Sequence, residues 1–305
     1  MIPARDCMDP ITLSAPGATL RAAVFAAGSG QRGLCVLLNG QTEFIEKYFE
    51  VIDELRGRGL TVVALDWRSQ GGSSRAVPDA PLKGYVKDFC EYEADLDTLM
   101  EQVVEPLAGG KRPIALAHSM GGHILLRYLH RRPQFFLAAA FCAPMVMFST
   151  RGQPRWLVRL VSNVMTRIGC AKDFVWGVAG RDPLTTSFER QIVTSDRARF
   201  QRTQDVLAQN PQLRLAGPTW GWVAAALRSI AGLDSHAEAI TTPALICGAG
   251  HDRVCLTEEA RAFARRMPRC TYVEIEGAEH EILMERDIFR QQLWTAFDAF
   301  LAQHL

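Results

Sequence analysis

The 305-residue sequence predicts an α/β fold in which a mostly parallel sheet carries helices on both faces and one helical insertion interrupts the pattern. Two observations support this class. Short apolar runs alternate with longer stretches of helical periodicity along most of the chain, which is typical of parallel strands joined by crossover helices. The alternation stops between residues 146 and 238, where helical stretches follow one another without a convincing strand.

The elements follow in chain order. Strands are predicted at the short apolar runs near 20–26, 34–39, 60–65, 113–118, 137–143, 243–249 and 270–276. Helices are predicted where apolar residues recur every three or four positions, near 44–57, 87–106, 121–131, 257–267 and 285–303. We therefore assign residues 1–145 and 239–305 to an α/β core, and 146–238 to a helical cap inserted after the strand at 137–143.

Ser119 lies at an abrupt change of pattern. The apolar run 113–118 passes into Ala-His-Ser-Met-Gly, and a helical stretch follows at once. This strand–turn–helix context is that of a nucleophile elbow, in which a strained tight turn exposes a serine hydroxyl, so Ser119 is the predicted nucleophile. The elbow needs small residues two positions before and after the serine, because the strand and helix backbones nearly touch there. Gly121 supplies one of them, and Ala117 stands where the usual GxSxG pattern has its first Gly.

Asp252 and His280 are the predicted partners of the serine. A serine hydroxyl needs a base to take its proton and an acid to orient that base, and after an elbow these follow in the order Ser, acid, His. Each residue follows an apolar strand and a Gly-containing turn, at the edge where open α/β sheets build their sites. His251 is the competing base, but it would reverse the chain order, and Asp234 is the alternative acid. His118 precedes the serine and is expected to point away from it.

Two backbone N–H groups are predicted to stabilise the oxyanion of an acyl-transfer reaction. One belongs to Met120, the residue after the nucleophile. The other belongs to Gln41, in the loop after the strand at 34–39, where Asn39-Gly40 forms a tight turn. Gly turns of this kind are common in α/β proteins, so the assignment depends on the serine, acid and histidine described above.

Four motifs that occur in order relate the chain to a known family. They are Asn-Gly-Gln-Thr-Glu at 39–43, Asp-Trp-Arg-Ser-Gln-Gly-Gly-Ser at 66–73, His-Ser-Met-Gly-Gly at 118–122 and Gly-Ala-Glu-His-Glu-Ile-Leu-Met-Glu at 277–285. With them, the chain resembles the lysophospholipase and monoacylglycerol lipase-like branch of the α/β-hydrolase superfamily over nearly its whole length. The resemblance implies an α/β-hydrolase fold and a serine hydrolase that cleaves the ester of a single-acyl-chain lipid through an acyl-enzyme, with no metal or organic cofactor. The family usually shows His-Gly at 39–40 and Gly at 117, and neither departure removes a catalytic atom, since the oxyanion donors are backbone groups.

Three further residues lie beside the predicted site. The resemblance implies that Asp66 and Arg68 brace the loop near the oxyanion hole and do not act in catalysis directly. Glu43 either hydrogen-bonds within the loop or touches a glycerol-like hydroxyl of the substrate, and loop support is the favoured role.

The cap contains an amphipathic segment with a basic polar side, at the position where the superfamily commonly carries its lid. Its apolar residues recur at helical spacing, at Trp156, Leu157, Leu160, Val161, Val164, Met165 and Ile168. Arg155, Arg159 and Arg167 lie between them. A cap helix packed on its neighbours is the favoured interpretation, and the alternative is a surface that rests on anionic lipid. Leu160 and Val164 are predicted to bind the acyl chain of the substrate.

Other functions stay open at this point. The same scaffold could act on a small soluble ester, an amide or a peptide with a free amino end. A peptide substrate would want an acidic cluster in the cap, whereas the cap is rich in Arg and Trp, which favours an uncharged or anionic apolar substrate. A non-catalytic binding protein of this fold often shows a broken triad, and here all three positions are filled. Epoxide hydrolases and dehalogenases are disfavoured, because those relatives carry Asp at the nucleophile position.

The composition fits an enzyme without a nucleic-acid partner. Hydrophobic residues make up 48% of the chain and charged residues 22%, which is enough for a large core. The formal net charge is +1 and no long basic tract occurs, so nucleic-acid binding is not supported. The eight cysteines form no CxxC pair or metal-ligand spacing, as expected in a reducing compartment. With no visible signal peptide or membrane-spanning apolar stretch, the expected location is the cytoplasm, with peripheral contact to the inner face of a membrane through the cap as an alternative.

Overall fold

The structure is a computed structural model that describes residues 3–28, 30–177 and 180–305. Its strands are β1 (Pro10–Ala15), β2 (Ala18–Phe25), β3 (Gly33–Leu38), β4 (Leu60–Asp66), β5 (Ile114–His118), β6 (Ala138–Cys142), β7 (Ala244–Ala249) and β8 (Cys270–Ile275). Within the described ranges these form one sheet in the order β1-β2-β4-β3-β5-β6-β7-β8. β2 pairs antiparallel with both β1 and β4, and all other neighbours are parallel. The predicted fold class is therefore confirmed.

Helices cover both faces of the sheet. They are α1 (Phe49–Gly57), α2 (Cys90–Leu99), α3 (Glu105–Ala108), α4 (Ser119–Arg131), α5 (Arg155–Arg167), α6 (Arg197–Gln209), α7 (Trp220–Asp234), α8 (Thr257–Arg266) and α9 (Asp287–Leu301). Alternate residues of a strand face opposite sides, so Val36 and Leu38 share a core with α2, α4, α7 and α8, whereas Cys35 and Leu37 share one with α1 and α9. Because both faces are covered, the central strands read as continuous apolar runs in the sequence.

Strand β1 lies outside the predicted strands. It is an edge strand that pairs only with β2 among the described residues, and only Leu13 of its six residues is buried. Its first residue is Pro10, and the turn into β2 contains Pro16 and Gly17, the latter with φ of 75°. Proline is tolerated at the first position of an edge strand, but it lowers the strand signal in a sequence. A half-exposed edge strand of this kind has no continuous apolar run to reveal it.

The segment 146–238 contains α5, α6 and α7, and these helices differ in how they pack. α7 is apolar on most sides, and residues such as Trp222 and Val223 belong to the same core as the sheet. α5 lies against α7 and has only Ser162 and Met165 buried. α6 contributes Leu207 to a small separate cluster. The end of the predicted cap is thus continuous with the core, and none of the described helices has the length and apolar character needed to cross a bilayer.

The carboxyl ends of the parallel strands position the candidate residues. β3 is followed by Asn39, β5 by Ser119, β7 by the turn that bears Asp252 and β8 by the turn that bears His280. These strand ends meet at one edge of the sheet, which is where open α/β sheets form their sites.

Candidate active site

Ser119 occupies a strained turn between β5 and α4. Its φ is 51°, in the left-handed region that costs energy for any residue with a Cβ atom. A Cβ atom on Gly121 would lie 2.5 Å from the backbone oxygens of both Leu38 and Asn39, so only glycine fits there. The close approach of strand and helix that the elbow motif requires is therefore present, with Ala117 fully buried on the other side of the serine.

The structure brings the three predicted catalytic side chains into one hydrogen-bonded line. The Oγ of Ser119 lies 2.9 Å from Nε2 of His280, and Nδ1 of His280 lies 2.7 Å from Oδ2 of Asp252. The other carboxylate oxygen of Asp252 accepts the backbone N–H groups of Val254 and Cys255, each at 2.8 Å. The side chains of His280 and Asp252 are only 5% and 1% exposed, so little water competes for these bonds.

This arrangement has the chemistry of an activated nucleophile. A carboxylate facing Nδ1 holds the proton there, which leaves the lone pair of Nε2 directed at the serine hydroxyl. His280 can then accept the proton of Ser119 as the hydroxyl attacks a carbonyl carbon. Asp252 stabilises the imidazolium that forms.

The two predicted oxyanion donors lie beside the serine. A Cβ atom on Gly40 would lie 3.1 Å from Cβ of Ser119, so the backbone leading into Gln41 passes directly over the nucleophile. Met120 is the second residue of α4, where helix geometry leaves an N–H group without a partner. Among the described residues, the N–H groups of Gln41 and Met120 donate to no backbone oxygen in the turns, loops and helix ends. Both are therefore available to an oxygen of the substrate.

Gln70 holds the oxyanion loop, and the sequence analysis missed it. Its Nε2 donates to the backbone oxygens of Gly40 at 2.8 Å and Glu43 at 3.1 Å, and its Oε1 accepts the N–H of Thr42 at 3.3 Å. Thr42 has φ of 68°, so the loop needs such external support. Gln70 belongs to the motif at 66–73, but only the path of the loop in space shows which residue of that motif reaches it.

Asp66 and Arg68 stabilise different parts of the structure. Oδ1 of Asp66 accepts the N–H of Ile45 just after the oxyanion loop, at 2.9 Å. Burial raises the pKa of Asp66 to about 6, although the charge of Arg21 acts in the opposite direction. Arg68 instead binds Asp95 of α2 through Nη2 at 2.6 Å. Asp66 thus supports the loop as the resemblance implies, whereas Arg68 ties its own turn to α2.

Glu43 is fully engaged within the protein. Its carboxylate accepts hydrogen bonds from the N–H of Gly40, from Nζ of Lys47 at 2.8 Å, from the hydroxyl of Tyr48 at 2.6 Å and from Nδ1 of His118 at 3.0 Å. With four donors around it and a side chain that is only 4% exposed, the carboxylate is not presented to a substrate hydroxyl. Of the two roles considered from the sequence, loop support is the one that these contacts favour.

A segment of the cap is attached to the loop that bears His280. The backbone N–H of Glu281 donates to the oxygen of Val193 at 2.7 Å, and the hydroxyl of Thr194 donates to the oxygen of Met284 at 2.7 Å. Fully buried Glu285 accepts the backbone N–H groups of Ser195 and of the residue before His280, at 2.9 and 3.0 Å. The position of the base therefore depends in part on the cap, and no pattern in the sequence indicates this contact.

The alternative acid and base lie elsewhere. Nδ1 of His251 faces Glu279 at 3.4 Å on an exposed ring, and Asp234 pairs with Arg266 at 2.8 Å at the exposed end of α7. Buried His123 bonds the backbone oxygen of Met145, and burial lowers its pKa to about 3. None of these side chains contacts the serine. Among the described residues, no cluster of His, Cys, Asp and Glu could hold a metal ion.

Leu160 and Val164 do not line an enclosed acyl pocket in this structure. They are 53% and 44% exposed, and the buried positions of α5 are Ser162 and Met165. The prediction that they face the acyl chain therefore differs from their observed position on the outer side of the cap. An amphipathic pattern identifies an apolar stripe, but it does not say whether protein or another apolar phase covers that stripe.

Comparisons with known proteins agree with this fold and place the chain in a family. The family described as Hydrolase_4, serine aminopeptidase S33, matches residues 29–287. The chain is 32% identical over 278 residues to lysophospholipase L2 of Escherichia coli K12, covering 88% of this chain and 80% of that protein. It is 26% identical over 277 residues to a probable lysophospholipase L2 of Haemophilus influenzae, covering 90% and 85%. A soluble variant of monoglyceride lipase from Saccharomyces cerevisiae, crystallised with a substrate analogue, shares the fold with a TM-score of 0.78 at 18% identity, over 97% of this chain and 96% of that one.

Proposed function

The chain belongs to the Hydrolase_4 (serine aminopeptidase S33) family of α/β-hydrolases, and from that premise we propose that it hydrolyses the acyl ester of a single-chain lipid, either a lysophospholipid or a monoacylglycerol. As a lysophospholipase-like member of this superfamily it is a carboxylic ester hydrolase. The observation that carries the proposal is the buried line of Ser119, His280 and Asp252 beside two unused backbone N–H groups.

The proposed mechanism is acyl transfer in two steps. His280 takes the proton of Ser119 as the serine oxygen attacks the ester carbonyl, and the N–H groups of Gln41 and Met120 bind the oxyanion. Collapse of this intermediate expels the alcohol, which receives the proton from His280, and leaves the acyl group on the serine. Water then gives a proton to His280 and attacks the acyl carbon, and His280 passes that proton to the oxygen of Ser119 as the fatty acid leaves. Asp252 keeps the imidazole in the productive tautomer throughout.

The outer face of α5 supports a lipid substrate. Trp156, Leu160, Val164 and Ile168, which we call the α5 stripe, follow one another at four-residue spacing and are 67%, 53%, 44% and 64% exposed. A contiguous exposed apolar surface of this kind marks an interaction site on most proteins. The neighbouring arginines of α5 are exposed as well, which suits a surface of anionic lipid. We therefore propose that the α5 stripe rests on such a membrane and brings the site to its substrate.

The charges of the cap do not suit a peptide with a free amino end. Recognition of an ammonium group requires an acidic side chain without a partner near the site. Every acidic side chain that the structure describes between 146 and 238 already bonds a side chain of the protein. Asp182, for example, pairs with Arg214 at 3.3 Å, and Asp196 pairs with Arg199 at 2.8 Å. The family description includes aminopeptidases, so this substrate class belongs in the test.

A hydrolysis panel tests the proposal. It compares a lysophosphatidylcholine, a monoacylglycerol, a short p-nitrophenyl ester and an aminoacyl p-nitroanilide, with the Ser119→Ala variant as background and the exposed Ser235→Ala variant as matched control. We expect the highest kcat/KM on the two long-chain lipids, since each buried methylene contributes about 0.8 kcal/mol to binding. Preference for the short ester, or hydrolysis of the anilide alone, would contradict the lipid assignment.

A further inference from the structure

His118 is a buried histidine whose two ring nitrogens both face hydrogen-bond acceptors. Its Nδ1 lies 3.0 Å from Oε2 of Glu43, and its Nε2 lies 3.2 Å from the backbone oxygen of His280. The residue is only 2% exposed, so water does not replace either partner. A carbonyl oxygen accepts and cannot donate, and an ionised carboxylate is likewise an acceptor only. Both bonds can form together only if both nitrogens of His118 carry protons.

The surroundings of Glu43 require it to be ionised. Besides His118, its oxygens face three other donors, the N–H of Gly40, the ammonium of Lys47 and the hydroxyl of Tyr48. A proton on Glu43 would either point at one of these donors or move into the bond to Nδ1 of His118, and the ammonium of Lys47 opposes both by stabilising the ionised carboxylate. The Tyr48 hydroxyl lies 2.6 Å from Glu43 and 3.3 Å from Nδ1 of His118, so its hydrogen goes to the carboxylate and not to the ring.

The buried charges around His118 balance when it is a cation. Lys47 bridges Glu43 at 2.8 Å and Glu281 at 2.6 Å, so two carboxylates surround one ammonium. An imidazolium at His118 completes two ion pairs, which is the condition under which buried charges are tolerated. Burial alone would lower the pKa of His118, but the charge and the hydrogen bond of Glu43, together with the charge of Glu281, outweigh it and raise the pKa above its usual value. Burial would likewise raise the pKa of Glu43, yet Lys47 and His118 hold it well below the ordinary range.

We propose that His118 is a permanent imidazolium that positions the catalytic base, by fixing the main chain of His280 and by opposing protonation of its ring. The two rings lie 4.9 Å apart between centroids, and one N–H of His118 holds the carbonyl of His280. This inference rests on the proposed role of His280. The charged and titratable groups that face the two rings are Glu43, Lys47, Tyr48, Glu281, Asp252 and Ser119.

The protonation state can be read without any turnover. Histidine-selective ¹⁵N labelling distinguishes a ring with two protonated nitrogens from a ring with one. At about pH 8 an ordinary histidine is neutral, so we expect a single ring, assigned by its loss in His118→Gln, to keep both protons. His123 serves as an internal reference, because its bonds to a carbonyl and to Ser229 suit a neutral ring. A His118 ring with one protonated nitrogen at that pH would overturn the proposal.

The effect on the base is measured in the pH dependence of kcat/KM for a short p-nitrophenyl ester. His118→Gln can keep the bond to the His280 carbonyl and His118→Asn the bond to Glu43, but both remove the cation. Because the base works only when neutral and a neighbouring cation opposes its protonation, loss of the cation should move the acid limb of kcat/KM to higher pH by about one unit. His236→Asn, at a ring that stacks on His130, is the matched control and should leave the limb in place.

The outcomes separate this inference from the proposed function. A drop in melting temperature with an unmoved acid limb in both variants would mean a purely structural His118 and would refute the positioning role. If neither variant folds, Glu43→Gln decides, since the imidazolium should then lose one proton in the ¹⁵N spectrum. Failure of the wild-type protein to cleave any ester would refute the proposed function alone, because the titration of His280 in the same spectra still reports the influence of His118.

Discussion

Replacing Asp252 by Asn should reverse the tautomer of the base. The carboxylate accepts three hydrogen bonds, from Nδ1 of His280 to one oxygen and from the N–H groups of Val254 and Cys255 to the other. Asparagine keeps only one oxygen, and the two backbone donors require it on their side. The NH₂ group must then face His280, so Nδ1 becomes an acceptor and the ring proton moves to Nε2. That atom faces Ser119 and can no longer accept its proton.

The magnitude follows from the alternative that the variant must adopt to work. Turning the amide round restores the tautomer but leaves two buried backbone donors unpaired, at about 1–3 kcal/mol each. The total of about 2–6 kcal/mol corresponds to a loss of roughly 30-fold to 3 × 10⁴-fold in kcat. The same tautomer reversal in a serine protease costs about 10⁴, at the upper end of this range.

The assay is kcat on a short soluble ester, with thermal unfolding to verify the fold and KM to verify binding. KM and the melting temperature should change little, because the substitution is nearly isosteric. The matched control is Asp234→Asn, which alters the exposed end of α7 and should leave kcat unchanged. A loss below tenfold in folded Asp252→Asn protein, or a large loss in Asp234→Asn, would refute the reasoning.

Two further predictions concern the elbow and the cap. Gly121→Ala places a Cβ atom 2.5 Å from two backbone oxygens. It should lower the free energy of unfolding by about 1–3 kcal/mol and remove most of the activity. The control Gly232→Ala has open space around it and should leave thermal stability unchanged or raise it. Replacing Leu160 and Val164 together by Asp should lower the turnover of long-chain lipids in phosphatidylglycerol vesicles, but the turnover of a short soluble ester should not change. The control is Leu107→Asp on α3. Leu107 is 46% exposed, and this variant should turn over both substrates like the wild type. Added salt should weaken vesicle binding of the wild-type protein, since the arginines of α5 are screened. Equal losses on both substrates would indicate a structural role for the stripe, and salt-insensitive binding would contradict the electrostatic part.

The residues that the candidate site brings together could be picked out from sequence because each depends on a local pattern. Ser119 needs a strand, a sharp turn and a helix in succession, and Gly121 records the close backbone contact directly. Asp252 and His280 follow apolar strands, and parallel strands bring their carboxyl ends together whatever their distance in the chain. The strands of the sheet could be predicted for the same reason. The exception is the edge strand β1, whose half-exposed residues form no continuous apolar run.

The supporting residues could not be predicted, because their roles depend on long-range contacts. Gln70 reaches the oxyanion loop from another strand end, and Glu285 reaches across to Ser195 of the cap. His118 was expected to point away from the serine, but nothing in the sequence indicated that its ring would lie between Glu43 and the backbone of the base. The helical spacing of the α5 stripe can be read from the sequence, but the exposure of its side chains depends on how the cap folds.

Covalent labelling of Ser119 tests the central claim most directly. A fluorophosphonate reacts with a serine only when a neighbouring base has activated it, and water does not readily release the product. After treatment of the wild-type protein, intact mass and peptide mapping should show one adduct, on Ser119, formed in step with the loss of ester hydrolysis. Ser235→Ala should be labelled like the wild type, and Ser119→Ala should be neither labelled nor active. An adduct on any other residue, or ester hydrolysis by Ser119→Ala at the wild-type rate, would contradict the account.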